Sequence, residues 1–283
     1  MEIKKVGVVG CGIMGSGIAQ VCAQSGYQVV VSEINDELLN KGLASINSFL
    51  TKSVEKGKIT QQDKDATLSR IKGTTNTGGF GDCDLVIEAV IEKMDLKKKI
   101  FAELDKICPK HAILASNTSA LSVIDMAMVT TRPEKVLALH FMNPAPIMKL
   151  LEIGRTVLTS DETMEISMKF GQSLGKTAVV TKDAPGLIAN RLLTAFLVNA
   201  VNMYDAGAAT KEDIDAAIRL GLNHPMGPLE LADFIGLDTV YSMINAVYEE
   251  FNDPRYAPPL LLKKMVAAGL LGRKSGKGFY EYK

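Results

Sequence analysis

The sequence predicts an α/β fold, a doubly wound and mainly parallel sheet with a helical-hairpin insertion, followed by an all-α C-terminal domain. Short apolar runs alternate with amphipathic helical patterns up to residue 182, which is typical of right-handed crossovers in a parallel sheet. A Pro-Gly break follows at 182–186, where regular structure should stop. Beyond this break only helical periodicity recurs. We therefore predict two domains, 1–183 and 184–283.

The first forty residues contain the most informative motif. An apolar run at 6–9 predicts a buried strand that passes directly into a G-x-G-x-x-G turn and then into helical spacing. Gly10 permits the sharp turn, Gly12 leaves room for a pyrophosphate, and Gly15 lets the helix pack closely. Phosphates would lie on the amides of the helix N-terminus. The residues expected to bind them are Gly10, Gly12, Ile13, Met14 and Gly15. Because glycines recur in many turns, a tight turn without a ligand is the alternative.

An acidic residue follows the second predicted strand, which spans 28–32. Glu33 comes 23 residues after Gly10 and is placed to accept hydrogen bonds from a ribose 2′-hydroxyl. A carboxylate there repels a 2′-phosphate, so NAD is favoured over NADP. With the strand before the motif and the helix after it, this acid indicates a Rossmann-type NAD-binding domain.

Two helices come next and form the predicted hairpin insertion. Asn35 is a candidate N-cap for a helix of about five turns, and Thr60 with Asp63 resembles a capping box that starts a second helix. The exposed side of the first helix and the residues after it carry basic side chains, namely Lys41, Lys52, Lys56 and Lys58. This cluster is either a solvated face or a local site for an anionic group.

The remaining sheet elements place polar residues at strand ends. Periodicity predicts strands at 84–89, 112–115, 136–141, 149–153 and 177–181, and helices at 94–107 and 163–174. In a doubly wound sheet, ligands bind outside the carboxyl ends of the strands. The polar residues expected at those ends are Glu92, Ser116, Asn117, Thr118, Ser119, His140 and Asn143.

The periodicity of the C-terminal hundred residues predicts helices. The predicted spans are 187–204, 212–220, 229–235, 239–250 and 260–268. The first of these is apolar on several faces, so it should be buried all round or shared with a second subunit. We expect a homodimer formed through these helices.

Composition excludes several classes of partner. Thirty-two basic residues balance 32 acidic ones, so the net charge suggests neither nucleic acid nor an anionic membrane as a partner. The four cysteines show no C-x-x-C pair, which favours reduced thiols, and we predict no metal site. No apolar run reaches the length of a membrane span, and the first strand starts too early for a targeting peptide. We expect a cytoplasmic protein.

One histidine has the position required for proton transfer. Oxidation of an alcohol needs a group that takes the hydroxyl proton, and imidazole does this near neutral pH. Of the three histidines, His111, His140 and His224, only His140 ends a predicted strand of the nucleotide-binding sheet. A hydrogen-bonded core histidine is the alternative. Glu152 is its expected partner because a carboxylate in an apolar strand needs a donor. The pair would fix the imidazole tautomer and stabilise its charged form.

Six motifs together carry a family resemblance, and several of them, unlike the glycine motif, are specific to one family. They are GCGIMG at 10–15, ASNTS at 115–119, LHFMNP at 139–144, PGLIANR at 185–191, PMGP at 225–228 and GRKSGKGFY at 272–280. Over its whole length the chain resembles the L-3-hydroxyacyl-CoA dehydrogenase family, in particular its short-chain bacterial members. The resemblance implies an NAD-linked, reversible interconversion of (S)-3-hydroxybutyryl-CoA and acetoacetyl-CoA.

The resemblance also implies roles for individual residues. His140 would be the general base in oxidation and the acid in reduction, and Glu152 would orient it. Ser119 and Asn190 would hold the reacting oxygen and the thioester, and Glu33 would bind the adenosine ribose. The residues that match the nicotinamide end are Glu92, Lys97, Asn117 and Asn143, and those that match the contacts to the CoA phosphates are Lys52 and Lys56.

Two departures from the family pattern and two alternative functions remain. The family usually has serine at the position of Ala120 and phenylalanine at the position of Leu187. The first change removes a hydroxyl beside Ser119, and the second alters packing near the domain break. The chain could instead be an NAD-dependent dehydrogenase of a free hydroxy acid, or a dimer that binds NAD without catalysis, because fold alone does not define function.

Overall fold

A computed structural model of the chain describes residues 2–282. By internal contacts the chain divides into two units, the first ending at Ala184 and the second beginning at Pro185. The first unit contains a sheet with helices, and the second is helical. The predicted fold class is confirmed. Within the described residues, no helix combines the length and the apolar character needed to cross a membrane.

The first unit is built on one eight-stranded sheet with the strand order β3-β2-β1-β4-β5-β6-β7-β8. The strands are β1 (Lys5–Val9), β2 (Gln28–Ser32), β3 (Ile71–Thr74), β4 (Leu85–Glu88), β5 (Ile113–Ser116), β6 (Val136–Phe141), β7 (Leu150–Arg155) and β8 (Thr177–Lys182). Neighbouring strands are parallel except for β6 and β7, which are antiparallel. The first six strands therefore share one carboxyl edge, where β7 begins.

The helices of the first unit connect these strands. They are α1 (Ile13–Gln24), α2 (Asp36–Glu55), α3 (Gln61–Ser69), α4 (Met94–Ile107), α5 (Val123–Ala127) and α6 (Asp161–Ser173). The predicted caps of the hairpin are confirmed: Asn35 accepts from the amide of Leu38, and Thr60 with Asp63 forms a capping box. The short strand β3 and the short helix α5 were not predicted. Strand β3 reads Ile-Lys-Gly-Thr and is only partly buried, so it lacks the continuous apolar run that marks the equally short β4 and β5, and the five residues of α5 are too few to show a helical period.

Both faces of the sheet are buried, which explains why its strands read as continuous apolar runs. Val8 and Ile87 pack in a cluster with Ile18 of α1. On the other face, Val86 packs in a cluster with Phe101 of α4. Each large side chain that is fully buried contributes about 1.5–3 kcal/mol, so these two layers hold the sheet edge in place.

The second unit contains α7 (Ala189–Asp205), α8 (Lys211–Gly221), α9 (Pro228–Ile235), α10 (Leu237–Phe251) and α11 (Leu260–Ala267). The prediction of an all-α unit is confirmed. The first helix starts two residues later than predicted, because Gly186 and Leu187 have φ values of 80° and 46°. Of the two alternatives predicted for this helix, burial on all sides within the chain is not observed, since Leu192 is 68% exposed and Met203 is 50% exposed. The other alternative, a helix shared with a second subunit, stays a prediction.

A buried acid holds the C-terminal segment onto the second unit. Asp233, which is 0% exposed, accepts from the amides of Phe279 and Tyr280 and from the Tyr282 hydroxyl at 2.9–3.0 Å. Glycine is required at Gly278, because a Cβ there would lie 1.9 Å from an Asp233 carboxylate oxygen. The motif at 272–280 thus has a structural role in this unit.

Candidate active site

The glycine turn after β1 leaves an open helix N-terminus at the carboxyl edge. Gly10 has a φ of 96°, and a Cβ at Gly15 would lie 1.8 Å from the Gly10 carbonyl oxygen, so both positions need glycine. A Cβ at Gly12 would meet nothing within 4 Å among the described residues, and Gly12 caps α1 without a side-chain hydrogen bond. The first amides of α1 therefore face open space, which suits the pyrophosphate of a dinucleotide.

Glu33 lies directly beside this turn. Its two carboxylate oxygens accept from the amides of Cys11 and Ile34, each at 2.9 Å. A carboxylate has more acceptor sites than these two bonds use, so Glu33 can also receive ribose hydroxyls. Burial, with a smaller contribution from Glu33, raises the pKa of the Cys11 thiol to about 11. The Cys11 side chain therefore lines the turn as a neutral thiol at physiological pH.

A buried polar network occupies the ends of β4 and β5. The carboxylate of Glu88, which is 0% exposed, receives the Lys97 ammonium at 2.6 Å, the Ser116 hydroxyl at 2.7 Å and the Val90 amide at 2.7 Å. Lys97 also lies 3.1 Å from a carboxylate oxygen of Glu92. The structure thus brings together Glu92 and Lys97, two of the residues expected at the nicotinamide end.

Asn117 connects this network to the next strand. Its amide donates to the carbonyl of Glu88, and its side-chain oxygen accepts from the amide of Phe141, each at 2.8 Å. Because the oxygen is already used by the backbone of β6, the side-chain NH₂ is the group that Asn117 can offer to a ligand. The residue therefore lies next to the end of β6, beside His140.

His140 and Glu152 form a cross-strand pair between β6 and β7. The two residues are directly opposite in the antiparallel register, and His140 Nδ1 lies 2.8 Å from Glu152 Oε2. Glu152 is 0% exposed and His140 is 7% exposed. Since Nδ1 is engaged by the carboxylate, Nε2 is the ring nitrogen that can exchange a proton with a substrate. This arrangement can act as a general base or a general acid.

The other expected residues lie in several different elements. Ser119 is half-buried two residues after Asn117, and Asn143 is exposed just after β6. Lys52 is exposed in the last turn of α2, about 25 Å along the helix from its N-cap by the helical rise, and Lys56 is exposed at the C-cap. Asn190 belongs to the second unit, where it is half-buried in the first turn of α7.

The two remaining histidines have other surroundings. His111 Nε2 lies 3.0 Å from Asp84 at the amino edge of the sheet, with half of its side chain exposed. His224 is exposed in the second unit, where its ring centroid lies 5.7 Å from that of Phe196. His111 thus lies at the opposite edge of the sheet from His140, and His224 belongs to the other unit.

Sequence reasoning missed two buried charged residues at the carboxyl edge of the sheet. One is Glu88, although it is a carboxylate in an apolar strand, the same signal that pointed to Glu152. The other is Lys176, whose ammonium donates to the carbonyls of Ala145 and Met148, each at 2.8 Å. Burial lowers the pKa of Lys176. This lysine anchors the connection between β6 and β7, and no sequence pattern distinguishes it from a surface lysine.

Comparisons with known proteins agree with this geometry. Residues 5–184 match the NAD-binding domain of 3-hydroxyacyl-CoA dehydrogenase, and residues 186–282 match the C-terminal domain of 3-hydroxyacyl-CoA dehydrogenase. The chain is 46% identical over 281 residues to a 3-hydroxybutyryl-CoA dehydrogenase of Bradyrhizobium diazoefficiens, covering 99% of this chain and 96% of that protein. It is 45% identical over 282 residues to a 3-hydroxybutyryl-CoA dehydrogenase of Mycobacterium tuberculosis, covering 99% of each.

A solved structure matches across both units. The crystal structure of the (S)-3-hydroxybutyryl-CoA dehydrogenase of Ralstonia eutropha is similar with a TM-score of 0.97 and 44% identity, covering 100% of both chains. The glycine turn, the acid after β2 and the buried histidine–carboxylate pair thus occur in a chain whose two halves both match one family. The protein belongs to the 3-hydroxyacyl-CoA dehydrogenase family, with an NAD-binding N-terminal domain.

Proposed function

We propose that this chain catalyses the NAD-dependent, reversible interconversion of (S)-3-hydroxybutyryl-CoA and acetoacetyl-CoA. The observation that carries the proposal is the buried His140–Glu152 pair, 2.8 Å apart, at the same sheet edge as the dinucleotide turn. The names of the relatives from Bradyrhizobium and Mycobacterium support the substrate. The pair also weighs against a protein that only binds NAD, because such a protein needs no buried acid–base group.

The proposed mechanism uses each ring nitrogen of His140 differently. When bound, NAD takes up or returns the hydrogen on the substrate's third carbon together with its electron pair. His140 Nε2 accepts the hydroxyl proton during oxidation and returns it during reduction. Glu152 holds the proton of His140 on Nδ1 and balances the positive charge that the ring then carries. Ser119 and Asn190 hold the reacting oxygen and the thioester carbonyl.

Residues along the carboxyl edge would hold the cofactor. The glycine turn with Ile13 and Met14 receives the pyrophosphate, and Glu33 receives the adenosine ribose. The nicotinamide end is lined by Glu92, Lys97, Asn117 and Asn143. Large apolar side chains are exposed beside these groups: Ile13 at 80%, Ile34 at 82% and Ile91 at 62%. Such side chains suit the flat faces of a bound dinucleotide.

The CoA part of the substrate would reach the end of α2. Lys52 and Lys56 are one helical turn apart and both exposed, so they present two positive charges on one side of the helix. An extended nucleotide with several phosphates fits such a pair better than a small hydroxy acid does. This favours a CoA thioester over a free hydroxy acid as the substrate.

We further propose a homodimer that works in the cytoplasm. Large apolar side chains of the second unit are exposed in the single chain, namely Leu192, Leu220, Leu222, Phe234 and Leu260, and an exposed apolar surface of this kind is typical of a protein interface. The four cysteines are free and buried, which fits a reducing compartment. Sedimentation in dilute buffer tests the dimer, and a monomeric mass would contradict it.

One assay separates the candidate functions. NADH oxidation is followed at about 340 nm with acetoacetyl-CoA, with free acetoacetate and with no substrate, and NADH binding is measured separately by fluorescence. We expect turnover with acetoacetyl-CoA and little with acetoacetate. Equal turnover of both would indicate a free hydroxy acid dehydrogenase. NADH binding without turnover of either would indicate a non-catalytic NAD-binding protein.

A further inference from the structure

Glu88 connects three separate elements although it has no role in the proposed proton transfer. It ends β4, and its carboxylate receives hydrogen bonds from Lys97 on α4, from Ser116 at the end of β5 and from the amide of Val90. Glu88 and Ser116 are 0% exposed, and Lys97 is 1% exposed. A fully buried carboxylate is costly unless such donors compensate it, so this position is unusual for a residue with only a packing role.

The position of the Lys97 ammonium depends on Glu88. A buried ammonium needs a counterion and hydrogen bonds in place of its hydration. Glu88 is the buried counterion at 2.6 Å, whereas Glu92 lies 3.1 Å away and has 38% of its side chain exposed. Removing the carboxylate of Glu88 would leave Lys97 with a partner that water can screen. The ammonium would then lose its fixed position at the sheet edge.

Glu88 also fixes the turn after β5. The Ser116 hydroxyl donates to Glu88 and accepts from the amide of Thr118 at 3.2 Å. The Glu88 carbonyl accepts from the amide of Asn117. Through these bonds Glu88 contacts both the helix that carries Lys97 and the turn that carries Asn117 and Ser119.

We propose that Glu88 is a positioning residue for the nicotinamide half of the cofactor. It holds the Lys97 ammonium in place, and it holds the turn at 116–119 in the conformation that receives the cofactor. This inference rests on the proposed function, because that function assigns Lys97 and Asn117 to the nicotinamide end. Since Glu88 is not in contact with His140, its effect falls on cofactor affinity rather than on proton transfer.

The test is NADH binding by fluorescence titration, together with steady-state kinetics using acetoacetyl-CoA. In Glu88→Gln, which keeps the shape and removes the charge, we expect the Kd for NADH to rise about 10-fold or more, because a buried charge-assisted contact is lost. We expect kcat at saturating NADH to change less than about threefold, since His140 is untouched. The matched control is Glu103→Gln on α4, the helix that carries Lys97. Glu103 is an exposed acid bonded to Thr77, and we expect no change in Kd.

A second background tests whether Glu88 acts through Lys97. In Lys97→Met, adding Glu88→Gln should weaken NADH binding much less than it does in the parent chain. If the two substitutions together raise the Kd for NADH by the product of their separate fold-changes, Glu88 does not act through Lys97. An unchanged Kd for NADH in folded Glu88→Gln, or a loss confined to kcat, would overturn the whole inference.

Two further measurements distinguish a failure of this inference from a folding defect of Glu88→Gln and from a failure of the proposed function. If Glu88→Gln does not fold, Ser116→Ala removes one donor to Glu88 without changing any charge, and its Kd for NADH should rise about threefold. An unchanged Kd there would also overturn the inference. A parent chain that binds NADH but leaves acetoacetyl-CoA unreduced would contradict the proposed function alone, and the binding comparison would still decide the role of Glu88.

Discussion

The two edges of the sheet each carry a histidine paired with a carboxylate, but in very different surroundings. At the carboxyl edge, His140 and Glu152 lie 2.8 Å apart with side chains 8% and 0% exposed. At the amino edge, His111 and Asp84 lie 3.0 Å apart with side chains 50% and 18% exposed. The distances are similar, so hydrogen-bond geometry alone does not distinguish the pair that we propose to be catalytic from the pair at the amino edge.

The difference lies in what else surrounds each pair. Asp84 also accepts from the amides of Lys4 and Lys5, so it ties the start of β1 to the start of β4. Glu152 lies opposite His140 on neighbouring strands, within reach of the edge where the helix N-terminus and Glu33 are found. Ligands bind at the carboxyl ends of parallel strands. Position in the sheet, together with burial, therefore indicates the function of such a pair.

The largest expected effect is on the carboxyl-edge histidine. His140→Gln should lower kcat for acetoacetyl-CoA reduction by about 100-fold or more, because a positioned acid or base contributes that much. His111→Gln is the matched control and should keep kcat within about twofold. Both variants should bind NADH with similar affinity. Similar kcat values in the two variants would show that the edges do not differ in function.

The orienting acid should have the next largest effect. Glu152→Gln keeps the shape of the side chain but removes its charge, so His140 loses the partner that balances a protonated ring. We expect kcat to fall about 10-fold or more with little change in the KM for NADH. Thermal unfolding, measured alongside, reports any loss of folded protein. A kcat within twofold of the parent value would remove Glu152 from the mechanism.

At the amino edge the expected effect is on stability. Burial opposes ionisation of Asp84, but the amides of Lys4 and Lys5 and the His111 ring outweigh it and hold the pKa of Asp84 below its ordinary value of 3.8. A lowered carboxyl pKa stabilises the folded state above the ordinary value, and this contribution is lost as pH falls through the folded pKa. Asp84→Asn should therefore cost about 1 kcal/mol at neutral pH.

Urea unfolding at pH 7 and at about pH 3 checks this prediction. The difference between Asp84→Asn and the parent should shrink at the lower pH, and kcat per folded molecule should stay the same. A difference in unfolding free energy that is independent of pH would show that the charge of Asp84 is not what stabilises this edge.

The smallest expected effect is that of a substitution at the end of α2, where we propose that the CoA part of the substrate binds. Lys56→Ala should raise the KM for acetoacetyl-CoA about threefold to fivefold, as for the loss of one exposed charge contact, and should leave the KM of a truncated thioester unchanged. Lys41→Ala, an exposed lysine on the same helix, is the control. Equal changes for both thioesters would separate Lys56 from the CoA part of the substrate.

Long elements with clear periodicity could be predicted from the sequence. The strands at 28–32 and 136–141 and the helix at 94–107 have the predicted bounds, because their apolar runs or amphipathic faces are complete. The strand β3 could not be predicted, since its sequence Ile-Lys-Gly-Thr lacks the continuous apolar run of the equally short β4 and β5, and the five residues of α5 are too few to show a helical period. Tertiary packing, rather than local pattern, determines such elements.

The candidate site was only partly predictable. His140 and Glu152 could be found because each is a polar residue in an otherwise apolar strand. Glu88 satisfies the same criterion and could have been found in this way. Its partners Lys97 and Ser116 come from different elements, so only the folded chain shows the network. Lys176 could not have been identified, because its burial depends on a connection that lies 28–31 residues away in sequence.

The antiparallel pairing of β6 and β7 has a consequence for tolerance to insertions. The orientation of the imidazole toward its acid is determined by the alternation of side chains across two strands, not by the eight-residue connection from 142 to 149. A one-residue insertion inside β7 before position 152 would turn the carboxylate to the opposite side of the sheet. Extra residues in the connection would leave His140 facing Glu152, and their effect on turnover would come instead through Asn143 or through the carbonyls that Lys176 holds. The pairing itself therefore tolerates a change of chain length in the connection but not a few residues later.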